Sequence, residues 1–223
     1  MTRVWLSAFF ALGLSLSAAS AESLDGAETY DLLFRDGTLD TLKADETLLY
    51  RRDVSNALKP DEGANSTGDI VLSLQTGDDA GMALLELRQG EKSRPMGRFP
   101  SSVGNPMIMV FYESIIRDMA ATAGGSPFYI RNRVKEALVR PSDVESGVAT
   151  LNGAQIKTQT IRMRPFEDDP NVDRMQGFGS LEMTVIMSDE VPGWYLSLVA
   201  EAGSDDAPVY LSDMRFVALE TAE

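Results

Sequence analysis

The chain has 223 residues, a formal net charge of −14, and neither histidine nor cysteine. The absence of both residue types excludes Ser-His-Asp and Cys-His catalysis, tetrahedral zinc, blue copper, iron–sulfur clusters and histidine-ligated haem, and no cofactor is predicted. An acidic chain repels nucleic-acid phosphates and anionic head groups, so neither nucleic acid nor an acidic membrane is expected as a partner.

The first 21 residues have the pattern of a cleaved export signal. Arg3 gives a cationic start, residues 4–18 form an apolar run, and Ala19-Ser20-Ala21 supplies the small residues that signal peptidase requires. The apolar run is too short to anchor the chain in a membrane. We therefore expect a periplasmic or secreted protein that is cut after Ala21 and has no stable membrane anchor. Residues 22–223 are expected to form a single α+β domain.

Short apolar segments and turn signals predict strands in the first third of this domain. Residues 30–34 and 47–50 flank an Asp36-Gly37 turn, whereas residues 61–68 are polar and predict a loop. Residues 70–75 alternate between inward and outward positions, which is the period of a half-buried strand, and residues 81–88 predict its antiparallel neighbour.

Two consecutive helices are predicted at the centre of the chain. Asn105 can cap the first helix with Pro106 as its first residue, and Gly124-Gly125 ends it. Ser126 and Pro127 begin the second helix at once. Helical spacing gives both helices an apolar inner face. The apolar rows are Met107, Phe111, Ile115 and Met119, then Ile108, Tyr112 and Ile116, and on the second helix Ile130, Val134, Ala137 and Leu138.

Strands resume after the helices. Asn152-Gly153 is a strong signal for a short hairpin between two strand-like segments. Together the elements predict an α+β fold, in which a curved antiparallel sheet of about eight or nine strands wraps on two consecutive central helices. The predicted later strands are residues 144–150, 155–164, 181–188, 194–200 and 209–219, with turns at 191–193 and 203–205.

This order of elements is similar to that of periplasmic lipoprotein-carrier domains (the LolA/LolB-like superfamily). The resemblance rests on the export signal, the strand-helix-helix-strand order and residues 188–194, where a Val-Pro-Gly turn joins two strands as in some members. The resemblance implies a curved sheet closed over helices and a hydrophobic cavity between them that holds acyl chains or another apolar ligand. It implies no catalysis.

Methionine is unusually frequent, with eleven in the chain. These flexible side chains suit a cavity for apolar ligands of variable shape, although they suit an irregular core equally, and strand alternation favours core filling. The leading hypothesis is a non-enzymatic periplasmic binding or carrier protein for an apolar or lipid-like ligand such as an acyl chain. Its cavity would be lined by Met107, Phe111, Ile115, Met119, Met183 and Met187.

Positive charge is concentrated in residues 88–140, which contain nine Lys or Arg residues and only four Asp or Glu residues. Ser126 lies at the start of the second helix, where free backbone N–H groups can bind an anion, and Arg131 and Arg133 follow on that helix. These groups predict a site for an anionic head group at the mouth of the cavity. Pairing of the cations with acidic residues is the commoner use of such charges.

Two other functions are compatible with the sequence. A structural or protein-interaction component of the cell envelope would contact another envelope protein through exposed aromatic side chains such as Trp194, Tyr195 and Tyr210. A carboxylate-based envelope hydrolase would need Glu113 and the acidic loop at residues 167–173 in one cleft.

The acidic loop also has the spacing of a cation site, with oxygens at Asp169, Asn171 and Asp173. Arg174 and Ser180 stand where a calcium-binding loop has its glycine and its closing glutamate. The sequence therefore favours a solvated hairpin loop over a metal site.

Overall fold

The computed structural model describes residues 21–221, so the predicted export signal lies outside the described residues except for Ala21. Within this range no helix is long and apolar enough to cross a membrane. The described helices are α1 (Gly26–Leu33), α2 (Pro60–Ser66), α3 (Met107–Ala123) and α4 (Pro127–Leu138). The described strands are β1 (Ala21–Leu24), β2 (Glu46–Asn56), β3 (Gly68–Leu74), β4 (Met82–Gln89), β5 (Lys92–Pro100), β6 (Ser142–Leu151), β7 (Ala154–Met163), β8 (Glu182–Met187), β9 (Tyr195–Ser204) and β10 (Ala207–Thr221).

These strands form one antiparallel sheet in the order β1-β6-β7-β8-β9-β10-β2-β3-β4-β5. Across residues 21–221, β1 and β5 lie at the two edges, so the sheet is open, and it curves around the helices. The prediction of an α+β fold with a curved antiparallel sheet on two consecutive helices is confirmed. The described sheet has ten strands rather than eight or nine, because β1 and β5 add to it and residues 30–34 do not.

The central helical hairpin follows its sequence signals. The Asn105 side chain accepts a hydrogen bond from the Met107 amide at 3.0 Å, as a capping side chain does, but the N-cap position of α3 is Pro106, one residue later than predicted. Gly124 and Gly125 both have positive φ angles, of 76° and 92°, which glycine adopts without steric cost, and they turn the chain into α4.

The short hairpin predicted at Asn152-Gly153 is present. Both residues have positive φ angles, of 51° and 81°, as the two-residue turns that suit the strand twist require. The turn joins β6 to β7 with Leu151 directly opposite Ala154.

The expected strand at residues 30–34 was wrong, because most of this segment belongs to α1. Asp25 accepts hydrogen bonds from the Ala27 and Glu28 amides at 2.8 and 2.9 Å, and its own amide donates to the Glu28 carboxylate at 2.9 Å. This reciprocal capping starts a helix two residues before Glu28. The short apolar run beyond it forms the inner side of the last helical turn.

Two further segments differ from the prediction. Most of the expected loop at residues 61–68 is α2, which begins at Pro60 and has Asp61 and Glu62 in its first turn, both favourable at a helix N-terminus. The unpredicted strand β5 carries Pro95 and three cationic side chains, a composition typical of an edge strand.

A buried charge joins α3 to the sheet. The Arg52 side chain on β2 is fully buried, and its Nη2 lies 3.0 Å from the Ser114 hydroxyl and 3.3 Å from the Asp118 carboxylate, both on α3. The Tyr210 hydroxyl on β10 donates to the same Asp118 oxygen at 2.8 Å. Since a buried charge is costly unless it is paired, this cluster fixes how α3 sits on the inner face of the sheet.

Candidate ligand-binding site

The six apolar residues predicted to line a cavity come together in the interior. The four α3 side chains and the two β8 methionines are each no more than 2% exposed and belong to one hydrophobic core. Met119 also borders a surface pocket of about 480 Å³ that includes Ser126 and Arg174. Ligand binding by the six residues stays a prediction. They are Met107, Phe111, Ile115, Met119, Met183 and Met187.

The three residues of the predicted anion site do not converge. Ser126 borders the pocket beside Met119, whereas Arg131 borders a different depression between the helices. Arg133 follows two positions later, which is more than half a helical turn around α4, and it pairs with Asp169 on the opposite side. The expected pairing of these cations with acidic side chains is therefore present for both arginines.

The depression beside Arg131, here called the helical groove, has a volume of about 330 Å³. It lies between α1, α3 and α4, and its surface is mostly apolar. Three of its apolar side chains are strongly exposed: Tyr30 at 44%, Met109 at 45% and Val139 at 54%. The groove is lined by Tyr30, Phe34, Met109, Tyr112, Glu113, Ile116, Arg131, Val134, Lys135, Leu138 and Val139.

Aromatic rings form the α1 side of the groove. Tyr30 stacks on Phe34 with ring centroids 4.5 Å apart, and Phe34 meets Tyr112 of α3 at 6.1 Å. Two hydrogen bonds hold the end of α1. The Trp194 indole donates to the Leu32 carbonyl at 3.2 Å, and the Tyr195 hydroxyl donates to the Leu33 carbonyl at 2.6 Å. These bonds hold the aromatic wall in place without filling the groove.

The start of α1 packs closely against the end of α4. A Cβ atom at Gly26 would collide with the Val139 carbonyl, so glycine is required for this approach. This close approach places the start of α1 beside the end of α4, where Val139 borders the groove.

A charged rim borders the groove between α3 and α4. Arg131 donates two hydrogen bonds to Glu113, at 2.9 Å from Nε and 2.7 Å from Nη2. These bonds hold the pKa of Glu113 below its usual value, and the positive charges of Lys135 and Arg117 act in the same direction. Within residues 21–221 the ion pairs of α4 are those of Arg131 and Arg133, so Lys135 has no acidic partner there.

Most of the acidic loop is exposed, as expected of a solvated hairpin loop, but Asp169 is buried against α4. The Asp169 carboxylate accepts hydrogen bonds from the Tyr129 hydroxyl at 2.7 and 2.8 Å and from the Asn171 amide at 2.8 Å, and it lies 3.0 Å from Arg133 Nε. Burial alone would raise its pKa, but these hydrogen bonds and the Arg133 charge outweigh burial and lower the pKa. Asp169 thus anchors the loop.

The hydrolase hypothesis needs Glu113 and the acidic loop at residues 167–173 in one cleft, but Glu113 borders the helical groove and Glu167 of the loop borders a different pocket. Glu113 pairs with Arg131 on the groove side of α4, and Asp169 pairs with Arg133 on the other side. Each carboxylate is occupied by an arginine, and the two do not share a cleft.

The aromatic residues proposed for contact with another protein are buried. Trp194, Tyr195 and Tyr210 are between 1% and 3% exposed, so a surface built on them was wrong. Trp194 follows the Val-Pro-Gly turn and has a φ angle of 80°, and the Tyr195 amide donates to the Gly193 carbonyl at 3.0 Å. This is a γ-turn with positive φ, a strained conformation that the bond from the indole to α1 holds in place.

Sequence reasoning missed the α1 side of the groove, Tyr30 and Phe34, because it placed them in a strand. The Asp25 and Glu28 pair was the available signal for a helix there. Met109 lies on the first half of α3, which is apolar on nearly all sides, so its exposure could not be known before the position of α1 was known.

The chain has no sequence match to known proteins and only weak structural similarity. No protein-family model matches the chain, and no curated protein sequence matches it. Among solved structures, the chain is similar to the crystal structure of the Mycobacterium tuberculosis lipoprotein LppX, with 9% sequence identity and a TM-score of 0.34. The match covers 86% of this chain and 94% of that chain. Similarity at this level does not establish a family for the chain.

Proposed function

We propose that the protein is a non-enzymatic binding or carrier protein for an apolar or lipid-like ligand, and that it acts outside the cytoplasm after export. The observation that carries the proposal is the helical groove, because a concave and mostly apolar depression of about 330 Å³ has the size and composition of a small-ligand site. Exposed apolar side chains around a concavity are also the usual mark of a binding surface.

The arrangement of acids supports binding rather than hydrolysis. Acid–base hydrolysis of a polymer needs two carboxyl groups facing one substrate bond. Glu113 and Asp169 lie on different sides of α4, and each is bound by an arginine, so neither is placed to activate water against the other.

The test is to isolate the protein from its own periplasm and examine it by native mass spectrometry, followed by lipid extraction. We expect a bound apolar molecule that is lost in a variant with a blocked groove. Met109→Trp is the blocking variant, since Met109 is 45% exposed in the groove. Val148→Trp is the matched control, because Val148 is 64% exposed on β6.

A protein that carries nothing, or that carries the same molecule after Met109→Trp as after Val148→Trp, would contradict the proposal. Thermal unfolding of both variants checks that the tryptophans leave the fold intact.

A second function, contact with another envelope protein, is supported by Phe128. This side chain is 75% exposed in the first turn of α4, the largest exposure among the large hydrophobic side chains of residues 21–221. A photo-crosslinking amino acid at position 128 should trap one specific partner in cells. Diffuse labelling of many proteins would reject this function.

A further inference from the structure

We propose that the helical groove takes a free single-chain amphiphile with an anionic head group, and that Lys135 binds the head group. This inference rests on the function proposed above and specifies its ligand. It places the ligand on the outer side of the helices and not between the helices and the sheet.

The groove is small for a ligand site. Its volume of about 330 Å³ lies at the lower end of the usual range, which favours a ligand with one hydrocarbon chain over a lipid with two. The aromatic wall of Tyr30 and Phe34 and the aliphatic side chains of α4 give the chain an apolar surface along the groove.

The charges at the rim favour an anion. Arg131 is already bound by Glu113 through two hydrogen bonds, so these two groups nearly cancel. Lys135 lies one helical turn from Arg131, borders the groove and has no acidic partner among residues 21–221. The groove therefore offers one uncompensated positive charge beside an apolar surface, which matches a carboxylate at the end of a hydrocarbon chain.

The position of this charge is unusual for the molecule. The whole chain has a net charge of −14, yet the charged residues that line the groove are Arg131, Lys135 and Glu113, whose charges sum to +1. An anionic ligand is repelled by most of the surface and attracted to this part of it, which directs its approach to the groove.

The experiment compares three probes of equal chain length by isothermal titration calorimetry, the two ionic probes below their micelle concentrations and the alcohol below its solubility limit. Dodecanoate is the anionic probe, dodecan-1-ol the neutral probe and dodecyltrimethylammonium the cationic probe. We expect dodecanoate to bind at least tenfold more tightly than the cation, with the alcohol between them. Shortening the carboxylate by one carbon should weaken binding roughly fourfold.

Charge variants then locate the head group. Lys135→Glu should weaken dodecanoate binding at least tenfold and strengthen binding of the cationic probe. Glu113→Gln should strengthen dodecanoate binding severalfold, because it frees the Arg131 charge. Lys92→Glu on β5 is the matched control and should change neither, since Lys92 is exposed on the edge strand and does not border the groove. A gain in affinity cannot result from unfolding.

Each outcome separates this inference from the proposed function. Equal binding of all three probes would overturn the anionic head group while leaving an apolar-ligand protein. Binding to phosphatidylglycerol vesicles without binding to dodecanoate would replace the single-chain ligand with a membrane surface. Failure of every probe, in a protein that also carries no lipid from its periplasm, would overturn both.

Discussion

The inner and outer sides of the central helical hairpin contain the same kinds of residue, but these residues are buried on the inner side and exposed on the outer side. On the inner side, Met107 and the ion pair of Arg52 with Asp118 are enclosed by the sheet. On the outer side, Met109 is 45% exposed, and the ion pair of Arg131 with Glu113 borders an open groove. The presence of methionines or ion pairs therefore does not by itself indicate where a ligand binds. What matters is whether another helix or the sheet covers them.

The two sides differ in what packs against them. The inner residues of α3 belong to the core between the helices and the sheet, whereas on the outer side α4 and the eight-residue α1 leave the helical groove between them.

The largest difference is expected between the two ion pairs of α3. Asp118→Ala should lower the free energy of unfolding by about 3–5 kcal/mol, because it leaves the buried Arg52 charge without its carboxylate. Glu113→Ala removes the exposed partner of Arg131 and should cost no more than about 1 kcal/mol. Denaturant unfolding measures both. Equal losses would mean that the groove side is as enclosed as the core.

A pair of methionines two residues apart gives the next largest contrast. Met107→Ala should destabilise the protein by about 2–5 kcal/mol, since the side chain is fully buried and its removal leaves a cavity. Met109→Ala should stay within about 0.5 kcal/mol of the wild type, because Met109 is 45% exposed and its removal opens no enclosed cavity. A small effect at Met107 would indicate a loosely packed interior and would revive a ligand cavity between helices and sheet.

These contrasts also show how far the sequence leads. The helices α3 and α4 were predictable because Asn105, the glycine pair at 124–125 and Pro127 mark their ends, and Asn152-Gly153 fixed the β6–β7 hairpin. The strand β5 was not, because its proline and its cations are typical of loops as well as of edge strands.

The groove could not be located from periodicity. The first turns of α3 are apolar on nearly all sides, with Met109 and Val110 beside the inner row, so the pattern does not say which side meets the sheet. The same limit applies to Asp169, whose burial depends on Tyr129 and Arg133, forty and thirty-six positions earlier in the chain.

The two sides of α4 should differ in their dependence on pH. The folded-state pKa of Asp169 is lowered, so its ionised form stabilises the fold above the unfolded-state value of about 4, and this contribution is lost as the pH falls toward the folded value. Asp169→Asn should therefore cost about 1–3 kcal/mol at pH 7, and the difference from the wild type should shrink below about pH 4.

The control for this titration is Glu113→Gln on the groove side. Its ion pair is exposed, so its effect at pH 7 should be the smaller of the two. Urea unfolding at several pH values measures both series. If the free energy of unfolding differs between Asp169→Asn and the wild type by the same amount from pH 7 to pH 3, the stabilisation by Asp169 does not depend on its negative charge.

The smallest perturbation is oxidation of methionine by dilute hydrogen peroxide, which converts the thioether to a polar sulfoxide wherever the reagent reaches it. Met109 should be oxidised well before Met107, although both lie in the first turn of the same helix, because only Met109 is open to solvent. Peptide mapping by mass spectrometry gives the two rates.

Because the sulfoxide is polar, oxidation at Met109 should leave the melting temperature nearly unchanged and weaken the binding of an apolar chain. Bound dodecanoate should in turn slow the reaction at Met109 and leave the slow reaction at Met107 as it was. Protection of both residues by the ligand would place the chain between α3 and the sheet, and protection of neither would place it outside the groove.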